Sequence, residues 1–243
     1  MLGEHAPADA ATLFAQARCV RDLPARRNLE VTCGETRVHI KMARQPNAWR
    51  HDEAKHIEQA AAAGVPVASI LFEGHTDEGP FVGLGDLAPA RPLDEVLDDI
   101  LAVPKLREAV GRALATAVAA LHAAGLHHKD LYANHVFVDG AAEPPRLTLI
   151  DLERMKSHGG PRSRWVVKDL AALWMSVRGQ VPPTTALRFL VRYGRAVPGL
   201  RARDLRRLAA RALKKATRMA RHTPRTPVGD AARPAEPDAT GAA

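Results

Sequence analysis

The chain has 243 residues, 46% of them hydrophobic and 26% charged. Those are the proportions of a soluble globular protein, and they exclude wholesale disorder and a disulfide-stapled miniature. The formal net charge is +8, yet residues 201–221 alone carry nine Lys and Arg against one acid, Asp204. The remainder is therefore neutral, which disfavours a nucleic-acid partner spread over the whole surface.

Aromatics make up only 4%, so the core has to be built from small aliphatics on helices. Cys19 and Cys33 have neither disulfide nor metal-ligand spacing and read as small hydrophobes on N-terminal strands. The opening MLGEHAPADA has no basic segment followed by an apolar one, and the longest apolar run, Ala113–Leu121, is too short to span a bilayer. A cytoplasmic, reduced protein is expected.

In chain order, Leu29–Cys33 and Arg37–Ala43 read as two strands turning at Gly34, with Val38, Ile40 and Met42 on one face. Asn47–Ala63 is helical and closes at Gly64, with Pro66 just beyond. Val67–Phe72 and Phe81–Leu84 read as further strands, and Leu93–Leu101 as a short amphipathic helix. Pro104 opens a longer helix with Leu106, Val110, Leu114, Val118 and Leu121 on one face, ending at Gly125. Two strand-like pieces follow, His135–Val138 and Leu147–Ile150. Helices are then expected at Trp165–Val177, Thr184–Arg195 and Ala202–Ala220, and the Pro-, Ala- and Thr-rich last 22 residues as a disordered tail. The division is a small strand-rich lobe over 1–85, a larger helical lobe over 86–221, and a tail over 222–243.

Chemistry concentrates in GLHHKDLYANHVFVD, Gly125–Asp139, and LTLIDLER, Leu147–Arg154. Asp130 lies in a polar loop and Asp151 at the end of the next strand. Two carboxylates so placed suit phosphoryl transfer: one takes the proton of an acceptor hydroxyl, the other holds Mg²⁺ against the phosphates. GLGDLA at Gly83–Ala88 superficially fits a dinucleotide fingerprint but has no βαβ unit around it. It reads as the interlobe hinge, with the backbone at Gly85 and Leu87 offered to adenine.

The pattern resembles a protein-kinase-like catalytic core, and specifically the lipopolysaccharide kinase (Kdo/WaaP) family. His128-Lys129-Asp130-Leu131 fits the kinase HRDL, but His135 stands five residues after the aspartate where ordinary kinases have Asn. Leu131, Tyr132 and His135 match the family's HRDLYxxH, and IDLER at Ile150–Arg154 is similar to its IDLHR. Lys168–Ala171 resembles its KDLA, and RFLVRY at Arg188–Tyr193 its C-terminal end. Lys41, in VHIKMA, and Glu53 stand where the family has its phosphate lysine and the glutamate that pairs with it. Read alone, Lys41 also fits an edge-strand surface lysine, and Glu53 a solvated helix face.

The resemblance implies an α+β, two-lobed protein-kinase-like fold with a β-rich N-terminal ATP-binding lobe and a helical catalytic lobe. It implies ATP and Mg²⁺ as cofactors, Lys41 on the phosphates, Asp130 as the catalytic acid–base, and Asp151 with His135 as metal ligands. Its acceptor is a Kdo or heptose hydroxyl of a lipopolysaccharide core or a related glycolipid. The alternatives are a protein or small-molecule kinase, and a non-catalytic pseudokinase that binds a partner through its basic C-terminal helix.

The chain departs from the kinase pattern in three places. Asp22–Asn28, DLPARRN, replaces a glycine-rich loop, with Arg26 and Arg27 as candidate sources of positive charge. Lys129 replaces the catalytic-loop Arg. Only eighteen positions separate Asp151 from Asp169, leaving almost no activation segment, so a constitutively competent enzyme is expected.

Asp169 reads as a buried helix-start carboxylate accepting backbone N–H groups of the catalytic loop. His122, His127, His128, His135 and His158 invite a metal-hydrolase reading but lack helical ligand spacing, and His128 reads as a core residue bonded to backbone. In 201–221, Leu205, Leu208, Ala212, Leu213, Ala216 and Met219 form a docking stripe. The basic face beyond it is either solvated or drawn to anionic lipid head groups at the inner face of the cytoplasmic membrane or to a phosphorylated saccharide. It lacks the aromatics that RNA bases stack on.

Overall fold

The computed structural model describes residues 10–44, 53–160 and 163–222. The expected helical residues 47–52 and the tail beyond 222 lie outside them. The fold is α+β and kinase-like. The N-terminal lobe opens with a short helix, α1 (Ala10–Gln16), followed by β1 (Arg18–Leu23), β2 (Arg26–Cys33), β3 (Thr36–Ala43), α2 (Glu53–Ala62), β4 (Ile70–Thr76) and β5 (Gly79–Gly85). The strands form one antiparallel sheet in the order β1-β2-β3-β5-β4.

Strand alternation makes β3 the strand that matters. Val38, Ile40 and Met42 are buried, as their spacing predicts, and pack with Leu29, Val31 and Phe81. Lys41 is thereby turned to the opposite face, on the middle strand of the sheet rather than at an edge. Cys19 is a correction: it is exposed, because β1 is the uncovered edge strand. Strand β4 begins three residues later than predicted. Val67 instead bridges to Leu149, and the Leu149 amide donates to the Pro66 carbonyl at 2.8 Å, stitching this segment to the other lobe.

The larger lobe contains β6 (Arg91–Pro92), α3 (Leu93–Ala102), α4 (Pro104–Ala123), β7 (Leu126–His127), β8 (Val136–Asp139), β9 (Arg146–Leu149), β10 (Lys156–Ser157), α5 (Ser163–Val177), α6 (Pro183–Ala196) and α7 (Ala202–His222). Helix α4 buries Val110, Leu114, Val118 and Leu121 in a core shared with Ala54, Ile57 and Ala60 of α2. Helix α7 docks through Leu208, Ala212 and Ala216, but Leu213 is exposed, so the docking stripe is narrower than its sequence implied. No helix among the described residues is long and apolar enough to cross a membrane.

Two short sheets position the functional loops. β7 pairs with β10, and β8 with β6 and β9. In the latter, Val136 faces Leu149, and the Ile150 amide donates to the His135 carbonyl at 3.0 Å. That register sets His135 beside Asp151.

Gly125 ends α4 with φ +72°, a left-handed conformation that glycine adopts without strain. A Cβ there would lie 2.2 Å from the His158 carbonyl oxygen, and the Gly125 carbonyl accepts the His158 amide at 2.9 Å. Gly125→Ala combines a conformational penalty of about 1–2 kcal/mol with that clash. The expected result is a Tm lowered by about 5 °C or more, read by differential scanning fluorimetry; an unchanged Tm would mean that the loop tolerates displacement.

Candidate active site

Lys41 Nζ lies 2.7 Å from Glu53 Oε1 and 3.3 Å from Asp151 Oδ1. Glu53, at the first turn of α2, is only 8% exposed, so it is not a solvated face residue. Burial alone pulls the Lys41 pKa down, but the two carboxylates outweigh it and hold the ammonium above the ordinary lysine value. Asp151 mirrors this. Burial pushes its carboxyl up, while Lys41 and then His135 and Arg26 pull it below the usual range.

His56, one turn after Glu53 on α2, has Nδ1 2.9 Å from the Leu152 carbonyl oxygen. The same helix therefore holds both the lysine's partner and the turn that follows Asp151. Asp151 itself has φ +59°, a left-handed conformation at the end of β9. Asp is among the residues that tolerate it.

His135 occupies a 3-10 turn, Ala133–His135, and not the start of a strand as predicted. Asn134 is exposed and His135 half-buried because of that turn, rather than by strand alternation. His135 Nδ1 lies 2.8 Å from the Asp130 carbonyl oxygen, which can only accept, so Nδ1 carries the proton. Nε2 then faces Asp151 Oδ2 at 3.5 Å. An imidazole whose other nitrogen is tied to a backbone carbonyl is the usual arrangement of a metal-ligating histidine. Among the described residues no group of three or more His, Cys, Asp or Glu forms a metal cluster. Asp151 would offer Mg²⁺ a carboxylate oxygen of the hard kind it prefers, and His135 an imidazole nitrogen, a softer donor, with the remaining positions left to water and phosphate.

Asp130 receives two cations. Arg154 Nη1 stands 2.8 Å from Oδ2, and Lys168 Nζ 3.2 Å from Oδ1. The loop around it is held from behind by Asp169, which is fully buried and accepts the amides of His128 at 2.9 Å and Lys129 at 2.7 Å. Asp169 sits in the second turn of α5 rather than at its start, and its partners are the expected catalytic-loop amides. His128 is fully buried with Nε2 3.0 Å from the Ile150 carbonyl oxygen, and burial lowers its pKa, leaving the ring neutral.

The turn between β1 and β2 reaches across to the same place. Arg26 donates to Glu153 at 2.7 Å, while Arg27 contacts Glu78 at 3.3 Å. Of the two candidate arginines, Arg26 is the one tied to the turn after Asp151. At the hinge, Gly85 ends β5 and its amide already donates to the Ser69 carbonyl at 3.0 Å. The Leu87 carbonyl accepts the Ala90 amide at 2.8 Å.

The model of the lipopolysaccharide kinase (Kdo/WaaP) family matches residues 36–193. The chain belongs to this family. It is 30% identical over 155 residues to the lipopolysaccharide core heptose(I) kinase WaaP of Pseudomonas aeruginosa, covering 59% of this chain and 58% of that protein. It is 30% identical over 103 residues to the WaaP of Escherichia coli, covering 40% and 39% respectively. The chain thus spans less than two thirds of the length of either curated relative. A solved structure of WaaP in complex with acyl carrier protein superposes with a TM-score of 0.71 and 28% identity, covering 86% of this chain and 91% of that one.

Within this family frame the structure gathers Lys41, Glu53, His135 and Asp151 at one point, with Asp130 joined to them through His135. Gly85 and Leu87, the expected hinge residues, are not among the groups these contacts join. Sequence reasoning did not single out Arg154, Lys168 or His56. Arg154 and Lys168 are the last residue of IDLER and the first of KDLA, so their signal was on the page as motif letters without a role.

The Lys41–Asp151 pairing predicts a pH dependence. Because the folded Asp151 carboxyl lies below its unfolded value of about 3.9, its contribution to stability is present above that pH and lost as pH falls through the folded value. Lys41→Met removes the main opposing charge and leaves burial. The acid limb of the Tm–pH curve should then move to higher pH; an unmoved limb would show that Lys41 does not govern Asp151.

Proposed function

We propose that the protein transfers the γ-phosphoryl group of ATP to a sugar hydroxyl of a lipopolysaccharide core, the acceptor being a heptose or Kdo. The observation that carries the reading is His135, tied through Nδ1 to the Asp130 carbonyl with Nε2 3.5 Å from the Asp151 carboxylate, which sets the candidate proton acceptor and the candidate metal ligand side by side. The family and the heptose kinase relatives supply the acceptor class.

Lys41 would exchange its contact with Asp151 for phosphate oxygens while keeping Glu53, the shorter of its two ion pairs. Asp151 and His135 would hold Mg²⁺. When bound, that ion neutralises charge on the β- and γ-phosphate oxygens. Gly85 and Leu87 at the hinge would offer backbone groups to adenine; with the Gly85 amide engaged, its carbonyl is the group left to use. Asp130 would orient the acceptor hydroxyl and take its proton. Arg154 now stands on Asp130 Oδ2, so the acceptor has to displace it.

The residues 1–85 and 86–221 would act as nucleotide-binding and catalytic lobes. The exposed arginines of α7 would face anionic head groups at the inner surface of the cytoplasmic membrane, where the acceptor lipid lies. An acyl carrier protein, the partner in the solved WaaP complex, would be a second ligand for such a basic face.

The test is transfer of label from γ-labelled ATP with Mg²⁺ to purified lipopolysaccharide core, comparing wild type with Asp130→Asn. The variant should lose about 10²–10⁴-fold in kcat while its ATP affinity stays within about threefold. Wild type that binds ATP yet labels neither lipid, protein nor small molecule would establish the pseudokinase reading instead.

A further inference from the structure

Phosphoryl transfer places negative charge on the oxygens of a group in flight between ATP and the acceptor, and catalysis consists largely of meeting that charge. The cations at this site are not equally free to do so. Lys41 already lies between Glu53 and Asp151, and Arg26 is bound to Glu153. The Lys129 ammonium lies 5.0 Å from the Trp165 ring centroid. Arg154 is 55% exposed and occupies the Asp130 oxygen that the acceptor needs.

Lys168 differs in being held by the loop of Asp130 itself. Its side chain is 20% exposed, and its ammonium lies 3.2 Å from Asp130 Oδ1 while also donating to the Lys129 carbonyl oxygen. It is placed by its neighbour: Asp169 grips the amides of His128 and Lys129, and one residue earlier on the same rigid helix Lys168 reaches the carbonyl and carboxylate of that loop. The left-handed backbone of Lys129, φ +72°, goes with this arrangement, in which the residue gives its amide to Asp169 and its carbonyl to Lys168. An ammonium has three N–H donors. Two are accounted for, and among the described residues no partner takes the third, which remains for a ligand oxygen.

Resting on the phosphotransfer reading above, we propose that Lys168 is a further catalytic residue, the fixed cation that meets the transferring phosphoryl group beside Asp130. In the step, the acceptor oxygen forms its bond to the γ-phosphorus as the bond from that phosphorus to the β,γ-bridging oxygen breaks. ADP leaves with that electron pair, and the acceptor's proton passes to Asp130. Lys168 keeps its proton throughout and donates a hydrogen bond to an oxygen of the moving group. Its contact with that oxygen is made in the transition state and not with ground-state ATP, so it acts on kcat rather than on nucleotide affinity.

The experiment compares the full chain with Lys168→Met, measuring kcat and KM with Mg²⁺, ATP and lipopolysaccharide core. It adds the affinities for ADP alone and for ADP with fluoroaluminate, a mimic of the phosphoryl group in flight. Lys168→Met should lose about 10²–10³-fold in kcat and a comparable factor in fluoroaluminate-dependent affinity, with KM for ATP and ADP affinity within about threefold. Lys168→Gln, which retains a donor for the Lys129 carbonyl, should show the same two losses and serves if the Met variant melts early. Wild-type turnover with unchanged kcat and fluoroaluminate affinity in the variants would overturn the role of Lys168 alone. Losses that follow ADP affinity or Tm would overturn it too, making Lys168 a structural lysine. Wild type that neither turns over ATP nor distinguishes ADP–fluoroaluminate from ADP would remove the phosphotransfer reading and this proposal together.

Discussion

The carboxylate of Asp169 is buried without exposure and accepts two backbone amides and the Nε2 of His122, at 2.9, 2.7 and 3.2 Å. A buried charge is costly unless its lone pairs are met, and here they are met by the groups that have to be held still. His122 Nδ1 lies 2.9 Å from the Tyr193 hydroxyl, whose proton is retained because burial pushes that group up. The donors can run one way, from Tyr193 through His122 to Asp169, so α6, α4 and α5 converge on the loop that carries Asp130. The placements on this lobe's side of the site follow from that anchor: Asp130 by adjacency, His135 through the Asp130 carbonyl, and Asp151 through the β8–β9 register.

Around the anchor, charges come in balanced sets. Lys41 meets two carboxylates, Asp130 meets two cations, and Arg26 meets Glu153. In a partly desolvated cleft this neutrality is what permits so many ionisable groups to stay charged together. The opposing pKa directions of Lys41, raised by Glu53 and then Asp151, and of Asp151, lowered first by Lys41, both against the pull of burial, express the same constraint.

Much of this was legible in the sequence, and the rest was hidden for physical reasons. The alternation of Val38, Ile40 and Met42 fixed the face of Lys41, and the four-then-three spacing of α4 fixed the buried side of that helix. Such signals are local and periodic. The catalytic-loop letters gave Asp130, His135 and Asp151 through family resemblance. Arg154, Lys168 and His56 escaped because their importance lies in contacts across 24, 38 and 96 residues, which no periodicity encodes. His135 was placed on a strand because Val136–Val138 is one. Its amide instead bonds to the Tyr132 carbonyl at 3.0 Å, a turn that the apolar pattern does not reveal. Cys19 and Leu213 fit their patterns by hydrophobicity and are exposed because, among the described residues, neither that strand edge nor that helix flank is covered.

The missing glycine-rich loop is best understood through the strength of what replaces it. The β1–β2 hairpin turns at Pro24–Ala25, and proline limits how far such a turn can reshape itself around phosphates. Its cross-lobe tie among these contacts is the Arg26–Glu153 ion pair, with the two side chains 34% and 31% exposed. A pair so exposed contributes about 0–1 kcal/mol, far less than the buried anchor at Asp169. The hairpin is therefore held loosely to the turn after Asp151, while the loop that carries Asp130 is pinned from behind by a buried carboxylate.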